Sequence, residues 1–365
     1  MPLVPPYIES LVPYQPGLPV DEVKRRYGVE RVIKLASNEN PLGPSPLAID
    51  ALIKTAGTLN LYPNGGYDLR RVLAEDFELK IENVIAGSGS EGIMSNIIRT
   101  FLCDEDEILT SEFTFGGFEV LARSRGVKYR TVPMVDWRYD LRALAAAVNQ
   151  NTKIIYLANP NNPTGTIFTR QEFEEFYKHV PERVLIILDE AYFEYAKDNN
   201  RYPDSMHYRH DNVITLRTFS KIYGLAGLRV GYGFAHQDLI ANLLKVKLPF
   251  EPSTPAQAGA IGALRDKEFL HQSLALNSRG LRLLADSLRD MGFEVVPSET
   301  NFVMVDLHES DAADRLVEDL LKQGIVIRPL RGWGLPHCVR ISTGTDEQTE
   351  ICLDAIEKLA STVRV

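Results

Sequence analysis

The chain is poor in the residues that mark several protein classes. Its 365 residues include three cysteines, Cys103, Cys338 and Cys352, an odd number without a Cys-x-x-Cys spacing. That excludes a disulfide framework and predicts reduced thiols in a cytoplasmic protein. The seven histidines form no His-x-x-x-His or His-Glu-x-x-His pair, so the sequence predicts no metal site. No apolar run approaches the ~18 residues that a membrane span needs. Positive charge is in deficit: 40 Lys and Arg stand against 49 Asp and Glu, for a net charge of −9. This disfavours a general nucleic-acid binder and leaves room for a local basic pocket that takes a small anion. The start, Met1-Pro-Leu-Val-Pro-Pro-Tyr7, lacks the basic region and apolar core of a signal peptide. There is no internal repeat and no low-complexity tract.

With 44% hydrophobic residues, the chain can bury one large core and a second, smaller one. Residues 1–30 are proline-rich with little periodicity and read as an arm or capping segment. From about 30 to 235, apolar runs (Asn83–Ala86, Glu107–Thr110, Lys153–Leu157, Val184–Leu188, Val213–Leu216) alternate with helical patterns (Glu91–Leu102, Leu141–Val148, Arg170–Lys178). This predicts an α/β fold with a mainly parallel sheet covered by helices on both faces, whose ligands sit at the carboxyl ends of the strands. A proline-dense break, Leu248–Pro255, precedes a long helical pattern and short strands at Asn301–Val305, Ile325–Arg328 and Cys338–Ser342, which read as a smaller α+β domain.

Lys221 follows the apolar run of Val213, Ile214, Leu216 and Phe219, where a lysine is costly to desolvate unless it is neutralised, paired or used covalently. Asp189 ends the most apolar strand, 32 positions before Lys221, so the two can share a sheet edge. An isolated Asp there is more often a cap or an ion-pair partner. Together, a carboxylate for a pyridinium nitrogen and a lysine for a Schiff base are the pair that pyridoxal phosphate (PLP) chemistry uses. Gly87-Ser-Gly-Ser-Glu-Gly92 follows a strand and opens a helix, a place suited to phosphate. It also matches Gly-x-Gly-x-x-Gly, with Glu112 lying 20 residues beyond Gly92, so a plain turn and a dinucleotide site remain open readings. Asn159–Gly165 is a rigid two-proline turn that aims Asn162 at a ligand or does nothing more than turn; either Asn-Pro bond could be cis. Ser220 and Arg229 flank Lys221 as candidate phosphate ligands.

These segments, in this order and over nearly the whole chain, resemble the fold-type-I PLP-dependent aminotransferases, and within them the histidinol-phosphate aminotransferases. The resemblance rests on Leu35–Pro41, Leu61-Tyr-Pro63, Asn161–Gly165, Leu188–Tyr192, Ser220–Arg229 and Arg340-Ile-Ser342. It implies an aspartate-aminotransferase-like large domain with a seven-stranded sheet over 31–265, a small domain over 266–365, and the 1–30 arm packed on the small domain and a partner subunit. It implies that Lys221 carries PLP, Asp189 keeps the pyridine nitrogen protonated, Asn162 and Tyr192 bind the phenolic oxygen, and Phe115 stacks on the ring. Ser90 and Glu91, through backbone N–H groups, would hold the phosphate with Ser220 and Arg229, and Tyr62 would reach a neighbour's cofactor across a homodimer with shared sites. Arg340 would receive the carboxylate of 2-oxoglutarate and the substrate phosphate, with Arg328, Tyr14 and Asn38; Arg331 reads as ordinary surface. Two positions depart from the family pattern: Phe115 stands where Tyr is common, and Glu91-Gly92 where Asp-Glu is usual. An aromatic aminotransferase, an amino-acid-phosphate decarboxylase, a nicotinamide dehydrogenase and a catalytically silent PLP-binding protein are the alternative readings.

Overall fold

The computed structural model describes residues 3–207 and 209–363; the outermost ends of the expected arm and small domain, 1–2 and 364–365, lie outside them. The strands, in chain order, are β1 (Ile33–Lys34), β2 (Val84–Gly87), β3 (Glu107–Ser111), β4 (Lys128–Val132), β5 (Thr152–Ala158), β6 (Leu185–Asp189), β7 (Val213–Thr218), β8 (Gly231–Phe234), β9 (Glu294–Val296), β10 (Phe302–Asp306), β11 (Ile325–Val326), β12 (Arg328–Pro329) and β13 (Cys338–Ser342).

Seven of them form one sheet in the order β2-β8-β7-β6-β5-β3-β4. Only β8 runs against its neighbours. The central strands alternate between two apolar layers, as a sheet covered on both faces requires. Ile154 and Tyr156 of β5 and Ile187 of β6 face one layer, with Ile93, Ile97 and Phe118. Ile155, Leu157, Ile186 and Leu188 face the other, with Phe168 and Phe173. Helix Arg170–Tyr177 on that second side starts with a capping box between Thr169 and Glu172.

A second, antiparallel sheet has the order β12-β13-β10-β9. Val303, Val305, Val339 and Ile341 pack there with Leu316, Leu320 and Ile356 from two helices. The expected single strand Ile325–Arg328 is two: β11 pairs with β1, whereas β12, one residue later, pairs with β13. The two-residue pairing of β1 with β11 brings Ile33 and Leu35 into the small layer's core. The arm also contains a helix that its sparse pattern concealed, Val20–Tyr27, which seats Val23 against Ala36, Leu321 and Val326.

Helix Lys267–Asp290, 24 residues long, joins the two layers. Leu270 and Leu274 near its start pack on the cluster of Leu69, Phe219 and Tyr232 beside the large sheet. Leu284 and Leu288 near its end belong to the small layer's core. Midway, the buried Asn277 donates to the Thr300 carbonyl and accepts from the Thr343 hydroxyl. Among the described residues, no helix is long and apolar enough to cross a membrane.

Candidate active site

Parallel strands that end together carry their following residues to one edge. Five do so here: β2 leads into the Gly89 turn, β3 into Phe115, β5 into Asn162, β6 ends on Asp189 and β7 precedes Ser220 and Lys221. The reversed β8 starts at the same edge, so Arg229 arrives there too.

Asp189 is buried, and its two oxygens have different partners. Tyr156 donates to Oδ2 at 2.6 Å and the Ala191 N–H to Oδ1 at 3.2 Å. Burial pushes the carboxyl up to about 6, while Tyr156, the Ala191 N–H and the Lys221 ammonium hold it from going further. Lys221 is half-buried, its Nζ 5.6 Å from the centre of the Tyr192 ring. The Tyr192 hydroxyl accepts from Asn38 Nδ2 at 2.7 Å. Asn38, buried and at φ 56°, is held by Ser342 and Asn301. Both Asn-Pro bonds of the Asn159–Gly165 turn are cis.

The glycine turn is built for close approach. A Cβ on Gly231 would lie 2.4 Å from the Ser90 amide nitrogen, and one on Gly89, at φ 75°, would lie 2.8 Å from Arg229 Nη2. Helix Gly89–Phe101 begins here, and the N–H groups of a first helical turn have no acceptor within the helix. Arg229 donates to Ser220 Oγ at 3.3 Å and to the Glu91 carboxylate at 2.9 Å; both members of that pair are about half exposed, so an anion can compete for the arginine. The turn is not a dinucleotide site of the doubly wound kind, because β2 lies at the edge of the sheet beside the antiparallel β8.

Arg340 and Arg328 face one another across β13 and β12. Arg340 is 4% exposed and donates to Asn162 Oδ1 and, at 2.9 Å, to the Ala36 carbonyl; its Nε has no partner. Burial pulls its guanidinium down to about 10, and Arg328 adds repulsion. Arg328 donates to the Gln15 carbonyl of the arm, and its Nε is also without a partner. Trp333 lies over both, 5.1 Å from Arg328 and 5.7 Å from Arg340, and Tyr14 meets it edge-on at 6.3 Å. Phe115 is 6.5 Å from Tyr14. Arg331 pairs with Asp314 on the surface.

Tyr62 stands apart from these groups. It is 80% exposed and stacks on Phe250 at 4.3 Å, beside the exposed Leu59, Leu61 and Leu248. Sequence reasoning missed three contributors: Tyr156, Trp333, and the Ser342–Asn301 pair behind Asn38. Tyr156 alone left a signal, since a hydroxyl on a buried strand must find a partner.

The residues at the sheet edge fit PLP. A buried carboxyl beside a lysine suits a protonated ring nitrogen, and a glycine cradle with Arg229 and Ser220 suits the phosphate of a flat cofactor.

A family model for class I and II aminotransferases matches residues 30–356. The chain is 43% identical over 363 residues to a histidinol-phosphate aminotransferase of an Anaeromyxobacter species, covering 98% of this chain and 99% of the relative. It is 40% identical over 360 residues to histidinol-phosphate aminotransferase 1 of Nitrosococcus oceani, covering 98% and 96%. Among solved structures, the histidinol-phosphate aminotransferase of Sinorhizobium meliloti in complex with pyridoxal-5'-phosphate superposes with a TM-score of 0.90 at 30% identity, covering 100% of this chain and 99% of that one.

Proposed function

Because the chain belongs to the class I and II aminotransferases and is a PLP-dependent transaminase, we propose that it moves the amino group of L-histidinol phosphate to 2-oxoglutarate. The products are imidazole acetol phosphate and L-glutamate, a step of histidine biosynthesis in the cytoplasm. When bound, PLP supplies an electron sink that makes the substrate's α-proton acidic. Lys221 would hold the cofactor, and its amine would take and return the proton at the α-carbon. Asp189 faces the ring nitrogen as a carboxylate. Asn162 and Tyr192 present an amide and a hydroxyl to the phenolic oxygen, and Phe115 covers a ring face. The backbone N–H groups of Ser90 and Glu91, with Ser220 and Arg229, take the cofactor phosphate, for which Glu91 gives up part of its hold on Arg229. Arg340 and Arg328, with Tyr14 and Asn38, take the anion of either substrate. The enzyme works as a homodimer in which Tyr62 reaches the partner's site from its exposed apolar surroundings.

The observation that carries the substrate assignment is the Arg328–Arg340 pair. Like charges directly opposite on neighbouring strands are destabilising, and among the described residues the hydrogen-bond partners of the two guanidiniums are an amide oxygen and backbone carbonyls, with no carboxylate. A phosphate dianion or a carboxylate between them supplies the missing charge by charge-assisted hydrogen bonds. One aromatic wall, made of Tyr14, Phe115 and Trp333, suits a flat ring and supports aromatic amino acids as a second donor class. The PLP form, mixed in turn with histidinol phosphate, phenylalanine, tyrosine and threonine phosphate, separates the readings through loss of the visible cofactor band. Histidinol phosphate is expected to react fastest. Faster reaction with phenylalanine or tyrosine replaces it with the aromatic donors, and no reaction with any amine defeats the assignment.

A further inference from the structure

At one end of the small sheet, on and beside the strand that carries Arg340, three neighbouring strands place ligand-type residues in one row. Asp306 of β10 is opposite Cys338 of β13 on one side and Glu294 of β9 on the other. Two histidines lie just beyond. His337 precedes Cys338, with its backbone carbonyl accepting from Leu307 N–H at 3.0 Å. His308 follows two residues after Asp306 in a left-handed turn at φ 62°, its own N–H donating to Asp306 Oδ1 at 2.8 Å.

The two rings converge on a single atom. His337 Nε2 and His308 Nδ1 each lie 3.8 Å from Asp306 Oδ1. Both distances exceed a hydrogen bond, so direct bonding to the carboxylate does not account for the arrangement. The ligand atoms of Asp306, His337 and Cys338 lie within 4.8 Å of one another, as do those of Glu294, Asp306 and His308. In a tetrahedral zinc site, ligand nitrogens and oxygens are about 3.3 Å apart, so the His337 ring has to close in by roughly half an ångström. It can move, because the His337 side chain is 30% exposed, whereas Cys338 is buried against Val296, Leu330 and Leu335 and stays in place. His308, whose Nε2 faces Glu294 Oε2 at 3.6 Å, belongs with Glu294 to a second grouping on Asp306.

We propose that Asp306, His337 and Cys338, whose ligand atoms lie within 4.8 Å of one another, bind one borderline divalent cation of the Zn2+ type, with solvent in the fourth position. An imidazole, a thiolate and a carboxylate select such an ion over Mg2+ or Ca2+, which take all-oxygen sets. Coordination through sulfur releases the thiol proton, so the Cys338 hydrogen passes to solvent as the ion enters. The ion ties the Leu335–Cys338 segment to β10 and braces β13, on which Arg340 sits two residues beyond Cys338. Neither a single segment nor a motif spacing joins these ligands, which is why the sequence pointed to no metal.

The test uses PLP-loaded enzyme, stripped of metal by chelator, dialysed and titrated with Co2+. We expect one Co2+ per chain, with the visible bands of four-coordinate cobalt and a near-ultraviolet sulfur-to-cobalt band, displaced by Zn2+. Cys338→Ser should abolish the sulfur band, and His337→Gln should weaken Co2+ binding tenfold or more. Glu294→Gln, at an exposed site outside the ligand set, should leave it unchanged. Absence of the sulfur band in the wild-type enzyme, its survival in Cys338→Ser, or unchanged affinity in His337→Gln overturns the site. None of these readouts depends on which amine the enzyme prefers.

Discussion

Arg217 and Arg340 are both sealed from solvent, yet Arg217 lies among carboxylates and Arg340, among the described residues, pairs with none. Arg217, at 1% exposure, donates to Glu190 at 2.8 Å and to Asp204 at 3.1 Å, and its guanidinium sits 3.3 Å from the centre of the Phe193 ring. Burial pulls its pKa down, but Glu190, Tyr232, Asp204 and Glu194 outweigh it, so the net shift is upward. Around Arg340 the balance goes the other way: burial lowers it to about 10, and its described polar partners are an amide oxygen and a backbone carbonyl. A buried cation that carries its own counter-ions is part of the scaffold. One without them is held ready for an anion that comes and goes, and the fold tolerates the cost because the surrounding sheet keeps Arg340 in place.

Three substitutions sharpen or break this contrast, the most damaging first. Arg217→Met leaves the buried Glu190 and the half-buried Asp204 without their cation, and should cost about 3–5 kcal/mol of stability in denaturant unfolding at fixed protein and cofactor concentration. A loss below about 1 kcal/mol would show that those acids find other partners.

Glu194, fully buried beside Arg217, comes next. Burial raises its carboxyl from 4.5 to about 7, with Arg217 opposing. The folded state therefore binds this proton more tightly than the unfolded chain does. The associated stability is fully present below about pH 4.5 and is lost as pH rises through about 7. At 1.36 kcal/mol per pKa unit, the stability of the wild type relative to Glu194→Gln should fall by about 3 kcal/mol over that window. A difference that stays flat with pH would mean Glu194 is ionised throughout.

Arg340→Met should have the opposite signature. Stability stays level or rises, since an uncompensated buried charge is removed, whereas kcat/KM for both half-reactions falls by about 1.5–3 kcal/mol, roughly ten- to a hundredfold. Unaffected half-reactions, or a stability loss like that of Arg217→Met, would erase the distinction between the two arginines.

Much of the sheet edge was legible because each functional residue follows a buried strand, and a polar residue after an apolar run stands out. Lys221, Asp189 and Asn162 were singled out this way, and Arg229 by its place beside Lys221. The glycines hid β8: Gly-Tyr-Gly-Phe reads as punctuation, although Tyr232 is completely buried. The edge strand β4, Lys-Tyr-Arg-Thr-Val, is half-buried at best and shows no apolar run. Arg217 gave no sign of its partners, because Glu190, Asp204 and Glu194 meet it only through tertiary packing. β11 and β12 are two residues each, too short for a period, and only their pairing reveals that the chain changes sheets between them.

The helix Lys267–Asp290 has a consequence for how the molecule can come apart. At about 1.5 Å per residue it is a rod of roughly 36 Å whose first turns are clamped in one core and whose last turns are clamped in the other. Melting either layer strips apolar cover from half of the rod and exposes the buried Asn277 at its middle. The boundary near residue 266 thus separates two sheets but not two folding units: severed there, the first piece loses the leucines that cap its core, and the second keeps half a helix with nothing to lie on.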